Sequence, residues 1–239
     1  MSGLLGHRGL LLSAGAAPAV ELLLLRANGA NGTTPIDDSS FGHVPAGVTG
    51  ICQSAAARFG SAGLAFTSYN KHLDYAAVAG DEWEFGSNDF TIQMWCRARS
   101  NTGDQQCVFS CGVAPFAAAD LGIECKWYTG AGGVGLSVYS GATSYISGAA
   151  AVPVGTWVHL AFVRDGQTLR MYLDGVEGAH QTHPTMGAVN SFAGGMARIG
   201  TRVSSTGSQQ LDADLDDYQV IKGVCLYRGG TTFAVPGAL

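Results

Sequence analysis

The sequence predicts an all-β, two-sheet antiparallel sandwich, and three observations predict it. Short apolar runs alternate with a period of two at spacings of roughly 8–15 residues, the mark of half-buried strands. No long stretch carries the periodicity of a helix. Glycine supplies 35 of the 239 residues, about twice the usual share, and clusters with Asn, Asp and Ser between the runs, where tight turns need such residues.

Taken in order, Val20 to Leu25 reads as the first strand, and Gly29 to Ser40 as a turn-rich loop. Leu64 to Phe66 and Leu73 to Val78 are short strands. Phe90 to Cys96 sets Phe90, Ile92, Met94 and Cys96 on one face against Thr91, Gln93 and Trp95 on the other. Cys107 to Cys111, Gly122 to Trp127 and Val134 to Tyr139 follow. Trp157 to Val163 alternates most clearly, with Val158, Leu160 and Phe162 opposite Trp157, His159, Ala161 and Val163. Asp165-Gly166 then marks a hairpin turn. Leu169 to Leu173 is the return strand, with Leu169, Met171 and Leu173 inward, and Asp174-Gly175 makes the next turn. Ala197 to Gly200 and Asp214 to Ile221 complete the set. No repeat or linker divides residues 20–239, so they read as one domain, preceded by an apolar arm over residues 1–19.

Composition narrows the function. At 46% hydrophobic residues and a net charge of −5 the chain is not of the disordered class. The glycines follow no Gly-X-Y period, so it is not collagen-like. The acidic balance leaves no footprint for nucleic acid or acidic lipid. No segment approaches the roughly 18 consecutive apolar residues of a membrane span, so no membrane association is expected. The six cysteines form no Cys-x2-Cys pair, and no His is spaced to complete a zinc site. They read as buried, reduced thiols, suited to folding in a reducing cytoplasm. The first residues weakly resemble a secretion signal, but Arg8 lies late and glycines interrupt the apolar stretch. Leu4, Leu5, Leu10, Leu11 and Leu12 read instead as a partner-docking arm, because termini order only when tied down.

Several stretches together carry a family pattern. They are Val20 to Thr34 followed by Asp38-Ser-Ser, Phe85 to Trp95, Gly155 to Val176, Arg198-Ile-Gly, and Leu215 to Tyr227. Their order resembles the laminin-G-like, concanavalin A-like lectin/glucanase superfamily, in the variant found in tailed-bacteriophage virion proteins. The resemblance spans residues 20–236. It implies a jelly-roll sandwich of two curved antiparallel sheets. Ala27 and Asn28 stand where the family often has an aromatic and an Asp, and Phe66-Thr67-Ser68 replaces its Phe-Asp-Gly, while Asp74-Tyr75 is kept. Some relatives hold a rim calcium with such carboxylates. By that resemblance Asp74 and Asp216 are the candidate metal ligands here; no other cofactor is expected.

Asp212, Asp214 and Asp216 alternate and so share one strand face. Relatives that hydrolyse glucans use alternating strand carboxylates as nucleophile and acid, chemistry that needs two carboxyls at a set separation with one pKa raised. Their Glu-x-Asp-x-Glu pattern is missing here, and Asp216-Asp217 matches the laminin-G-like Asp-Glu, which is structural there. No enzymatic activity is therefore expected. His180 and His183 have a metal-binding spacing for a helix, but Gly178, Pro184 and Gly187 argue for a loop. His159 reads as a packed, hydrogen-bonded strand residue. Trp95 and Trp157 fall in family strand motifs and are core candidates, whereas Trp127, Tyr128, Tyr139 and Tyr145 are the candidate sugar contacts. Gly130 to Gly135 precedes a strand, not a helix, and reads as a loop tip rather than a phosphate cradle.

The resemblance, the arm and the thiols together imply a non-enzymatic bacteriophage virion protein, a head decoration or a tail or fibre component. Its expected location is the virion, and its partners are capsid or tail subunits and further copies of itself. The alternative is a carbohydrate-binding adhesin for host surface polysaccharide, and a third reading is a glycan hydrolase at the aspartate row.

Overall fold

The computed structural model describes residues 18–47, 51–67, 71–78, 80–100, 105–113, 120–128, 133–141, 143–148, 151–192, 194–202, 209–229 and 232–239. Among them run fifteen strands, numbered here in chain order, and one three-residue 3-10 helix at Ser54–Ala56.

The strands form two antiparallel sheets. The eight-stranded sheet runs β13 (Val176–Thr182), β12 (Thr168–Leu173), β11 (Trp157–Asp165), β6 (Phe90–Ala98), β15 (Ala213–Lys222), β4 (Gly63–Phe66), β3 (Cys52–Gln53). β1 (Val20–Leu25) joins it alongside the second half of β15. The seven-stranded sheet runs β10 (Thr143–Gly148), β9 (Val134–Ser140), β8 (Leu121–Tyr128), β7 (Gln105–Gly112), β14 (Met196–Ile199), β5 (Leu73–Ala76), β2 (Ala46–Gly47).

Alternation decides which side chains meet between the sheets. In the β6–β11 ladder, Ile92 pairs with Phe162, Met94 with Leu160 and Cys96 with Val158, and all six enter the core. Phe109, Cys125, Trp127, Leu136 and Val138 of the other sheet join them. Each such large apolar side chain contributes roughly 1.5–3 kcal/mol by leaving water. One polar tie crosses the core: the buried Tyr218 hydroxyl of β15 donates to the Val108 carbonyl of β7 at 3.2 Å. All six cysteines are buried and unpaired.

β15 changes neighbour midway. Residues 213–215 pair with β4 on one side, and residues 218–222 pair with β1, with a register shift between Asp216 and Gln219. Asp217 sits at that break with φ of 44°. The strand thereby turns Asp214 and Asp216 onto the outer face and Leu215, Tyr218 and Val220 into the core.

Three expectations change. Trp95 is almost buried but lies on the outer face of its sheet, opposite His159 in the ladder, outside the inter-sheet core. Trp157 is half-buried there, under the Arg97 guanidinium at 5.0 Å. His180 lies in β13 rather than in a loop; this edge strand is largely exposed and is held by pairing to β12. Residues 1–17 of the arm, with Leu4, Leu5, Leu10, Leu11 and Leu12, lie outside the described residues.

Candidate functional site

Two members of the aspartate row, Asp214 and Asp216, stand on the outer face of the eight-stranded sheet with their carboxylates engaged, while Asp212 precedes β15 and is held through its backbone by Gln106 and Arg99. Asp214, 1% exposed, accepts from Arg97 Nε and Nη2 at 2.9 and 2.6 Å through one oxygen. Its other oxygen accepts from Arg99 Nε and Nη2 at 3.0 and 2.5 Å. Asp216 accepts the backbone amides of Arg58 and Phe59 at 2.7 and 2.9 Å, and that of Asp217 at 2.9 Å. Burial pushes its pKa up to about 6, although those amides pull the other way. Asp217 accepts the amide of Leu239 at 2.7 Å, tying the C-terminal segment down. These contacts fasten loops and termini to β15.

Beside the row lies a second polar network. Gln93 Nε2 donates to Gln219 at 2.5 Å, and Gln219 Nε2 donates to Glu21 at 2.5 Å. Tyr227 donates its hydroxyl to Gln93, and His159 Nε2 lies 3.2 Å from the same oxygen. The rings of Trp95, Tyr227 and Phe233 surround His159. Burial lowers its pKa to about 4, so the ring is neutral in the fold. Arg58 caps Trp95 at 4.3 Å from the ring.

The outer face of the seven-stranded sheet carries a different cluster. Glu124 of β8 is fully buried, yet it lies away from the apolar core. Arg202 Nε approaches its carboxylate at 2.6 Å and Lys126 Nζ at 3.4 Å, and the Tyr139 hydroxyl donates to it. Burial first, and then the Glu124 charge, raise the Tyr139 pKa. Ser137 faces Glu124 across the β8–β9 ladder, its buried hydroxyl without a hydrogen-bond partner.

The aromatic candidates separate. Trp127, 1% exposed, belongs to the inter-sheet core, so the sugar-stacking expectation fails for it: its ring offers no face to a ligand. Tyr139 is 6% exposed and presents its hydroxyl to Glu124 rather than a free ring face. Tyr128 and Tyr145 lie in β8 and β10, with side chains outside the described residues. The metal candidates do not converge. Asp74 is gripped by Arg198 through Nε at 2.5 Å and Nη2 at 2.8 Å, on the sheet opposite Asp216. Among the described residues, no three His, Cys, Asp or Glu side chains gather as a metal group. No helix among them is long and apolar enough to cross a membrane.

Sequence reasoning missed Glu124, Lys126 and Arg202. A signal existed for the first two. They alternate with Ile123, Cys125 and Trp127, so β8 has one apolar and one charged face. Arg202 reaches the cluster from a loop, which no spacing announces.

Residues 70–225, about two thirds of the chain, match the family described as the concanavalin A-like lectin/glucanases superfamily. No curated protein matches the chain. Among solved structures, domain 4 of AbnA, a GH43 extracellular arabinanase from Geobacillus stearothermophilus in complex with arabinotriose, is similar at 17% identity and a TM-score of 0.59. The match covers 86% of this chain and 93% of that one. The binding domain of botulinum neurotoxin serotype D is similar at 10% identity and a TM-score of 0.59, covering 86% of this chain and 48% of that one. The binding domain of botulinum neurotoxin DC, in complex with SialylT, gives the same identity, coverage and score. This chain therefore spans about half the length of those neurotoxin domains. At such identities the likeness is one of fold.

Proposed function

This chain belongs to the concanavalin A-like lectin/glucanases superfamily, and from that premise we propose that it is a non-enzymatic structural protein of a tailed-bacteriophage virion that displays a lectin-like sandwich. The observation carrying the non-enzymatic part is the occupied aspartate row: Arg97 and Arg99 take both oxygens of Asp214, and backbone amides take Asp216. Asp214, held by two guanidinium groups, is no free nucleophile, and Asp216, though its pKa is raised, is buried and turned to the amides of Arg58, Phe59 and Asp217.

The virion part rests on the phage-like order of motifs over residues 20–236 and on the apolar arm before them. The arm adds apolar area, and main-chain pairing, to a neighbouring capsid, tail or sister subunit, in the manner of strand addition. The sandwich is then a rigid platform with loops outward. Deleting residues 1–19 is expected to abolish incorporation into particles while the sandwich keeps its thermal transition. Particles that carry the truncated protein at full occupancy refute the docking role.

A second reading, recognition of host surface glycan, is favoured by the polar cluster of Glu124, Lys126, Tyr139 and Arg202 on the outer face of the seven-stranded sheet. Polar groups that converge on a sheet face are what orient a sugar. The arabinotriose and SialylT complexes of the two structural neighbours support this reading without deciding it. A glycan array should give hits that disappear in Glu124→Gln. An array blank for the wild type leaves only the structural role.

A further inference from the structure

The outer face of the eight-stranded sheet holds one further feature, a cavity of about 340 Å³ lined by Gln53, Ala55, Ala65, Thr67, Lys71 and Arg99. We propose that this cavity binds the anionic group of an acidic saccharide unit. The proposal goes beyond the glycan reading above: it is a separate site, on the sheet opposite the Glu124 cluster, with its own ligand class.

Three observations carry it. The first is shape. Ala65 pairs with Asp214 in the β4–β15 ladder, so its methyl group lies on the same outer face as the aspartate row. Elsewhere that face carries Trp95 and Tyr172, and here two alanines leave a hollow. Its volume is at the low end of small-molecule sites, which suits one sugar ring rather than an oligosaccharide.

The second is charge. Arg97 and Arg99 share the carboxylate of Asp214, and with Asp212, whose carbonyl accepts the Arg99 amide, the two arginines are balanced, so Lys71 supplies the net positive charge. Among the described residues no carboxylate lines the cavity. The Lys71 ammonium has no ion-pair partner among the described residues, in a chain whose net charge is −5. A local positive hollow on an acidic protein selects for an anion by short-range contact and not by the overall field.

The third is hydrogen-bonding capacity. Lys71 and Arg99 only donate, and Gln53 and Thr67 both donate and accept. Donors therefore outnumber acceptors, which fits a carboxylate beside sugar hydroxyls. Arg99 is already oriented, because Asp214 fixes two of its nitrogens. Arg97 in turn donates to the Ala55 carbonyl at 2.7 Å and so holds the cavity wall.

The test is an NMR amide-shift titration of the full chain with D-glucuronate, D-glucose and acetate. Glucuronate should shift the amides of Gln53, Thr67 and Lys71 saturably, and glucose and acetate at equal concentration should not. Lys71→Met should weaken glucuronate binding by about tenfold or more while leaving the thermal midpoint unchanged. Ala55→Trp, which fills the hollow from its exposed side, should remove it. Equal shifts from glucose overturn the anionic part, and equal shifts from acetate overturn the saccharide part. An unaltered affinity in Lys71→Met overturns the site. Array hits lost in Glu124→Gln, together with no glucuronate shift here, sink this proposal and spare the glycan reading; a blank array and no shift sink both.

Discussion

His43 lies between two buried carboxylates, with Nδ1 2.7 Å from Asp37 and Nε2 3.0 Å from Glu82. The ring thereby bridges the loop of Asp37 to the segment before β6. Burial pushes the Asp37 carboxyl up, but the amides of Leu24, Ser39 and His43 and the His43 ring outweigh it, and its pKa is lowered. Asp37 therefore stabilises the fold above the ordinary carboxylate pKa and loses that contribution as pH falls through its lower folded value. Removing the ring takes a buried polar contact from each carboxylate, although backbone amides still hold Asp37 and the Val78 amide still holds Glu82. His43→Ala should cost roughly 3–5 kcal/mol in urea unfolding; a loss under about 1 kcal/mol would show that those amides suffice. The outer face of the eight-stranded sheet gives a second residue-scale prediction. His159, with its pKa lowered to about 4 from 6.5, contributes stability fully above the higher value and loses it as pH falls toward the lower. Asp216 works in the opposite sense. Its pKa is raised from 3.8 to about 6, so its buried charge penalises the fold above the folded pKa, and the penalty lifts on acidification. The two slopes oppose each other, and the wild type should change little between about pH 7 and 5. His159→Gln should gain stability over that interval, and a urea midpoint that falls instead would refute the balance.

At the scale of elements, the turn between β12 and β13 shows how local chemistry serves a distant segment. Asp174 and Gly175 have φ of 48° and 74°, the left-handed pair of a tight hairpin. Asp174 locks to the backbone of His159, accepting its amide at 2.8 Å. The Gly175 carbonyl accepts the amide of Phe233 at 2.8 Å, and a Cβ on Gly175 would stand 2.2 Å from the Phe233 oxygen. The C-terminal strap lies so close that only glycine fits. It covers Tyr172 and His159 with Phe233, which stacks on Tyr227 at 3.6 Å. Gly175→Ala should destabilise by more than about 1 kcal/mol, beyond the usual cost of a left-handed alanine, since the strap must shift. Its fluorescence should also report exposure of the aromatic group. A variant with wild-type stability would mean that the strap is loosely held.

Across the whole molecule, the sandwich buries all six thiols. Burial raises Cys107, Cys111 and Cys225 to about 12, so almost no thiolate exists at neutral pH. An exchange reagent such as a dithiobis-nitrobenzoate should label none of the six quickly in native buffer, and all of them in guanidinium, at the rate of global unfolding. Prompt labelling of one thiol would mark a locally opening edge. The fold itself was legible because alternation survives wherever one strand face is buried: β6, β11 and β12 show it plainly. β13 and β10 escaped notice because backbone pairing holds them at the sheet edges and no apolar stripe is needed.

Period-two patterning, turn residues and composition by themselves determined that this chain is a two-sheet antiparallel sandwich and which side chains share a face. They did not determine which face is the core. Trp127 points between the sheets, and Trp95 and Trp157 point out, because the side on which a second sheet packs is set by long-range topology. The meeting of Arg97, Arg99 and Asp214, of Glu124 and Arg202, and of His43 with Asp37 and Glu82 was likewise a tertiary decision. Charges distant in sequence carry no periodic trace, and only the closing of the sheets brings them within hydrogen-bonding reach.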